Sequence, residues 1–239
     1  MKLIKLSIAT ALVASSLLAS EAPKSSISVS GDVTFTSNSI WRGGSGTNNS
    51  ATVQGTLGVE HESGVYAGMW GTGMSVDTSD GKAKATGTEI DLFIGYATEI
   101  SGISIDVGFV DMSTTQVKSS TDKDATEDFE HTFDGSGEVY LGAGYSVAGI
   151  DLGATLYAEV LDSDSDSVII EGTIDKDFGF AHFGVAGGYH TEDAPGQNYY
   201  SATVGKSFES INGDLSFTYA DTTASSTDAV YAISYTTSF

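Results

Sequence analysis

Twelve carboxylates share one phase of a two-residue alternation that runs through the chain from Ile27 to Phe239: Asp32, Glu60, Glu89, Asp91, Asp106, Glu138, Asp151, Glu159, Glu171, Asp175, Asp214 and Asp228. No lysine or arginine falls in that phase. Carboxylates gathered on one surface attract cations and repel anions, and around a water-filled passage they make a cation-preferring filter. Polarity alone accounts for a hydrophilic surface but not for a single sign. His182 and His190 share the phase, but two isolated histidines read as polar lining rather than as metal ligands. Asp162-Ser-Asp-Ser-Asp166 lacks the spacing and the glycine of a calcium loop. No catalytic set, metal or cofactor is expected.

Such a surface needs strands to position it. In the closing segment Tyr231, Ile233, Tyr235 and Phe239 fall on one face, and Ser234, Thr236 and Ser238 on the other. A period of two puts alternate side chains on opposite faces of a sheet. The same pattern predicts strands over 27–37, 51–61, 65–76, 87–97, 103–112, 137–146, 150–161, 167–176, 181–190, 198–208, 214–221 and 228–239. In the third of these, Val65, Ala67 and Met69 compete with Tyr66, Trp70 and Met74 for the outer face. Connections alternate strictly between short and long. The short ones, 62–64, 98–102, 147–149, 177–179 and 209–213, each contain a glycine suited to the positive φ of a tight hairpin. The long ones are rich in Ser, Thr, Asp and Gly.

An even number of strands with short turns at one end and longer loops at the other is the layout of an outer-membrane barrel. The outer phase fits it: Ile90, Leu92, Ile94 and Tyr96 in the fourth strand, Ile150, Leu152, Leu156 and Val160 in the seventh. Outward aromatics separate by height. Tyr96, Tyr145, Phe183, Phe208 and Phe239 lie beside the short turns; Phe35, Phe109, Tyr189, Tyr200, Tyr219 and Tyr231 lie beside the long loops. Rings at both interfaces form the girdles of a membrane barrel. Lys176 and Lys206 break the outer pattern near strand ends, where a long stem can snorkel to headgroups. The expected fold is all-β, a twelve-stranded antiparallel up-and-down transmembrane β-barrel over 27–239. Its inner phase is mostly small or hydroxylated, with Phe93, Tyr140 and Tyr157 as the chief bulky members, which favours a narrow water-filled lumen.

The start of the chain reads as a cleaved secretory signal over 1–20. Lys2 and Lys5 precede the apolar stretch from Leu6 to Ala19, and cleavage falls between residues 20 and 22. Without those lysines the charge is near −24, which argues against nucleic acid, and the chain contains no cysteine for disulfides. The 29 glycines and 2 prolines suit strands and turns.

Thr36-Ser-Asn-Ser-Ile-Trp-Arg-Gly43, Val53-Gln-Gly55 and His61-Glu-Ser-Gly-Val-Tyr-Ala-Gly-Met-Trp-Gly71 resemble the TorF family. So do Glu89-Ile-Asp-Leu-Phe-Ile-Gly-Tyr96, Asp106-Val-Gly108, Glu138-Val-Tyr140 and Thr237-Ser-Phe239. That family is treated as outer-membrane channels. The resemblance implies an outer-membrane location, lipid and lipopolysaccharide as surroundings, small hydrophilic solutes or cations as cargo, and a barrel-assembly machinery that reads Tyr231, Ile233, Tyr235 and Phe239. The chain departs from the family in lacking a Tyr- and Pro-rich stretch after the fifth strand, so its third loop is expected to differ. That loop, 113–136, carries Phe129 and Phe133 among acids and either folds into the lumen or stays solvated. Arg42, the single arginine, matches the family's Arg-Gly and either reaches into the acidic mouth or pins its loop by a salt bridge.

Two rival functions remain at this stage. One is a non-conducting structural or adhesive barrel. The other is an outer-membrane hydrolase, which needs a Ser–His pair with an orienting partner; His61 and His131 lie in or beside connections, away from the membrane depth where such an enzyme works.

Overall fold

The chain runs through β1 (Ile27–Thr36), a two-residue pair β2 (Ile40–Trp41) and β3 (Gly44–Ser45), then β4 (Thr52–His61), β5 (Val65–Asp77), β6 (Lys84–Ile100), β7 (Ile103–Val117) and β8 (Glu130–Val147). It continues with β9 (Ile150–Glu159), β10 (Val168–Asp177), β11 (His182–His190), β12 (Tyr199–Phe208), β13 (Gly213–Thr222) and β14 (Val230–Ser238). This computed structural model describes residues 26–77, 84–117, 130–161, 167–191, 198–223 and 228–239. The expected signal segment and Asp162 to Asp166 lie outside them.

Apart from the β2–β3 pair, each strand hydrogen-bonds antiparallel to the next and β14 returns to β1, so twelve strands form a closed barrel. Thr34 faces Thr236 across the closing seam, and Phe239 exchanges backbone hydrogen bonds of 3.1 and 3.0 Å with Gly31. Closure gives each of the twelve barrel strands a partner on both sides, as a hydrocarbon surrounding demands of a sheet.

Alternation sets the two surfaces. Large apolar side chains are exposed on the outside of all twelve barrel strands, among them Val29, Leu57, Met69, Leu92, Val107, Leu141, Leu156, Ile174, Val185, Val204, Phe217 and Ile233. A soluble monomer rarely exposes so continuous a belt. Inside are Thr34, Thr36, Thr72, Thr155, Ser201 and Thr236, all buried. The third barrel strand is settled by the same measure: Val65 and Met69 are exposed outside, while Trp70 is buried within.

Turn chemistry explains the short connections. Ser101 and Gly102 (φ 55° and 83°) join β6 to β7, and Ala148 and Gly149 (φ 52° and 72°) join β8 to β9. Two successive positive φ values are the backbone of the tight hairpin turn whose twist matches the strands. The five-residue connection expected at 98–102 is therefore two residues long, because Ser101 takes the left-handed conformation and lets pairing continue to Ile100 and Ile103.

The third long loop is corrected as well. Residues 113–117 belong to β7 and 130–136 to β8, paired at Thr114–Thr132, Thr115–His131 and Gln116–Glu130 after an irregularity between Met112 and Thr114. These ends continue the sheet upward and do not turn into the lumen. The stretch between them, with Phe129, lies outside the described residues.

Candidate functional site

Among the described residues, the first long loop, between β1 and β4, enters the barrel. β2 and β3 form a small hairpin whose turn is Arg42 and Gly43, with φ 43° and 83°. Ile40 is buried against Ala220, Val230 and Ala232 on the inner faces of β13 and β14. Asn38 is the polar hub: its Nδ2 donates to the Tyr231 carbonyl (3.3 Å) and to Asn49 Oδ1 (3.0 Å), while its Oδ1 accepts from Thr47 Oγ1 at 2.9 Å. Gln54 Nε2 on β4 donates to Ser39 Oγ at 2.7 Å, and the Ser75 amide on β5 donates to the Gly46 carbonyl at 3.2 Å. Gly43 lies so close to the wall that a Cβ there would sit 2.5 Å from the Asp221 carbonyl oxygen.

That docking aims Arg42 across the lumen. Its Nη1 and Nη2 each donate at 2.7 Å to a different oxygen of Glu138 on β8, five strands around the ring from β1. The guanidinium lies 4.6 Å from the Trp41 ring centre and 5.1 Å from that of Tyr157. Both charged side chains are nearly buried, 12% and 7% exposed. Burial would favour loss of the arginine proton, but the Glu138 carboxylate, with Tyr199 and Tyr157 nearby, raises its pKa instead and fixes the charge. A planar fork on a carboxylate, flanked by aromatic rings, is the geometry for which arginine is better suited than lysine.

Arg42 also interacts electrostatically with Glu171, which is 1% exposed and whose Oε2 accepts from Tyr199 Oη at 2.6 Å. Tyr199 on β12 reaches β10 over Gly188 of β11, where a Cβ would fall 2.2 Å from its ring. Tyr140, Tyr157, Ile169 and Tyr199 make one buried cluster. Below it, Tyr66 Oη donates to Asp106 Oδ1 at 2.6 Å and is hydrogen-bonded to Tyr140 Oη. The β5 to β9 side of the lumen is thus occupied by rings: Tyr66 and Trp70, left open between the two faces by the sequence, lie inside, and Tyr199, not among the bulky inward residues expected, joins them.

The opposite side is open. A cavity of about 800 Å³ runs from Asn38 and Ile40 down to Asp177, Glu209 and Asn212 at the short-turn end, lined by Thr34, Thr203, Ser216, Thr218, Ser234 and Thr236. Glu171, Asp175, Asp177, Glu209 and Asp214 are its acidic groups, and His182 joins them with its Nδ1 3.6 Å from Asp214 Oδ2.

The remaining acids distribute as follows. Asp32, Asp91 and Glu138 are buried, and Glu60, Glu89, Asp106 and Glu159 are half-buried. Glu159 faces Glu138 across β8 and β9, and Asp151 faces Asp175 at the short-turn end. Asp228 sits exposed, ahead of β14. Tyr231, Ile233 and Phe239 are exposed outside, and Tyr235 Oη donates to the Ile211 carbonyl at 2.9 Å. Lys176 Nζ reaches the Ala148 and Gly149 carbonyls, both at 3.4 Å. His61 Nδ1 meets Ser63 Oγ at 2.8 Å within a single turn that also ties down the Ser63 amide. Among the described residues, no group of three or more His, Cys, Asp or Glu is placed to hold a metal ion.

No curated protein matches the chain. Among solved structures, a mutant of an Rh. blastica porin aligns at 12% identity with a TM-score of 0.42, covering 89% of this chain and all of that one. A Salmonella typhi OmpF complex with daunomycin aligns at 10% identity with a TM-score of 0.40, covering 89% of this chain and 97% of that one. Likeness at this level says nothing of solute or assembly. The family match is of another order, since it spans residues 20–238. Its description is "Bacterial protein of unknown function (Gcw_chp)", without the name TorF. The chain belongs to the Gcw_chp family.

Proposed function

We propose that this protein is an outer-membrane channel that passes small hydrophilic solutes and prefers cations. The observation that carries the reading is the interior of a closed barrel that holds Asp32, Glu89, Asp91, Asp106, Glu138, Glu171, Asp175 and Asp214, the last three lining an open cavity beside an inserted loop that bears the single arginine. An apolar belt with outward rings at both ends supports a bilayer as its surroundings, with the short turns in the periplasm and the long loops toward lipopolysaccharide. At about 0.15 M salt the screening length is about 8 Å, so the field of the wall carboxylates persists across a narrow lumen.

The test is the reversal potential in a planar bilayer across a potassium chloride gradient. Wild type should be cation-preferring, and combined Glu89→Gln, Asp91→Asn and Glu171→Gln should weaken that preference. Anion preference in the wild type would refute the reading. A second reading, a non-conducting barrel, is favoured by Tyr66, Trp70, Tyr140, Tyr157 and the inserted loop, and no conductance from correctly folded protein would establish it.

A further inference from the structure

The place where Arg42 docks has the make-up of a receptor for a planar cation. Glu138 supplies two oxygens in one plane, Trp41 and Tyr157 supply π-faces at 4.6 and 5.1 Å, and Glu171, held by Tyr199, adds a second carboxylate at the cluster that joins Tyr157 to Tyr199. The tethered guanidinium does not use this receptor completely. Its Nε is buried without a hydrogen-bond partner among the described residues, and so is Glu171 Oε1, although Glu171 is 99% buried with its other oxygen held by Tyr199. A donor and an acceptor left unpaired in one buried site each carry a desolvation cost. The hairpin commits both terminal nitrogens of the fork to Glu138, whereas a free guanidinium brings further N–H donors and is not bound to that orientation.

From this mismatch we infer that the lumen binds guanidinium-type solutes at Glu138 and Glu171, and that Arg42 is a built-in competitor which such a solute displaces. The inference rests on the reading of the lumen as a solute passage and names its substrate class: small organic cations with planar N–H donors. A primary ammonium lacks the fork, and a quaternary ammonium lacks N–H donors altogether.

Calorimetric titration of the detergent-folded full chain with guanidinium chloride, against tetramethylammonium chloride at equal ionic strength, tests it. Guanidinium should bind saturably and shift the emission of Trp41 as the stacked Arg42 leaves, while tetramethylammonium should do neither. Arg42→Ala should tighten guanidinium binding by about tenfold or more, because a tethered competitor acts at an effective concentration of order millimolar or above. Glu138→Gln should abolish binding. Glu171→Gln, which leaves the Arg42–Glu138 pair in place, should weaken it, and the shift in gel mobility on boiling reports whether each variant is folded. Equal binding of the two cations, unchanged affinity in Arg42→Ala, or full binding in folded Glu138→Gln or Glu171→Gln would each overturn the inference. Bilayer conductance separates the two conclusions. A barrel that conducts but binds no guanidinium keeps the channel and loses the receptor; one that binds guanidinium but passes no current does the reverse.

Discussion

At the scale of the residue, the Arg42–Glu138 pair and the Tyr199 ring are the points where a single change has the clearest outcome. Removing one member of a buried ion pair typically costs about 3–5 kcal/mol. Here that cost falls on the loop rather than on the barrel, because Arg42 belongs to a hairpin outside the twelve-strand ladder. Arg42→Ala should therefore raise single-channel conductance and move the reversal potential further toward the cation value, with the boiled and unboiled gel bands unchanged. Gly188→Ala should act differently. Its new methyl would meet the Tyr199 ring 2.2 Å away and push it off Glu171, an overpacking expected to cost about 1–3 kcal/mol, read as an earlier loss of the unboiled band on heating. The acids stand out in the sequence by their shared phase and sign. Tyr66 and Trp70 do not, because Val65 and Met69 offer an equally good outer face and only the neighbours across β4 and β6 decide between them.

At the scale of the element, strands and turns were readable because a two-residue period and glycines at tight turns are local signals. The fate of the long loops is not local. Ile40 and Trp41 stand out as apolar residues in a polar connection, and Ala220, Val230 and Ala232 as apolar positions in a polar lining. The two anomalies explain one another only once β13 and β14 are known to lie beside β1 in the closed ring. The loop 113–136 misled for the opposite reason: its polar, threonine-rich ends carried no apolar alternation, yet they pair as extensions of β7 and β8. Replacing residues 38–50 with a short glycine–serine linker should raise conductance in the same bilayer recording. Deleting Phe239 should reduce the amount of protein in the membrane, since the residue both pairs with Gly31 and ends the outward face of β14. The surviving molecules should conduct as wild type, and undiminished membrane levels would count against an assembly role.

At the scale of the whole molecule, closure of twelve strands predicts resistance to unfolding by detergent without heat. Unboiled protein should migrate apart from boiled protein, and its far-UV spectrum should be that of a β-sheet protein; recovery in the soluble fraction would contradict the exposed apolar belt. The inner volume has its own asymmetry. Its open chamber reaches the short-turn rim at Asp177, Glu209 and Asn212, while Asn38 and Ile40 roof it toward the other end. In the channel proposed above, an ion arriving from below would meet the acidic chamber before the narrow point, and one arriving from above would meet the narrow point first. In the proposed channel, two such unlike ends predict rectification. Current at equal and opposite voltages should differ, and adding the protein from the other side of the bilayer should invert the curvature.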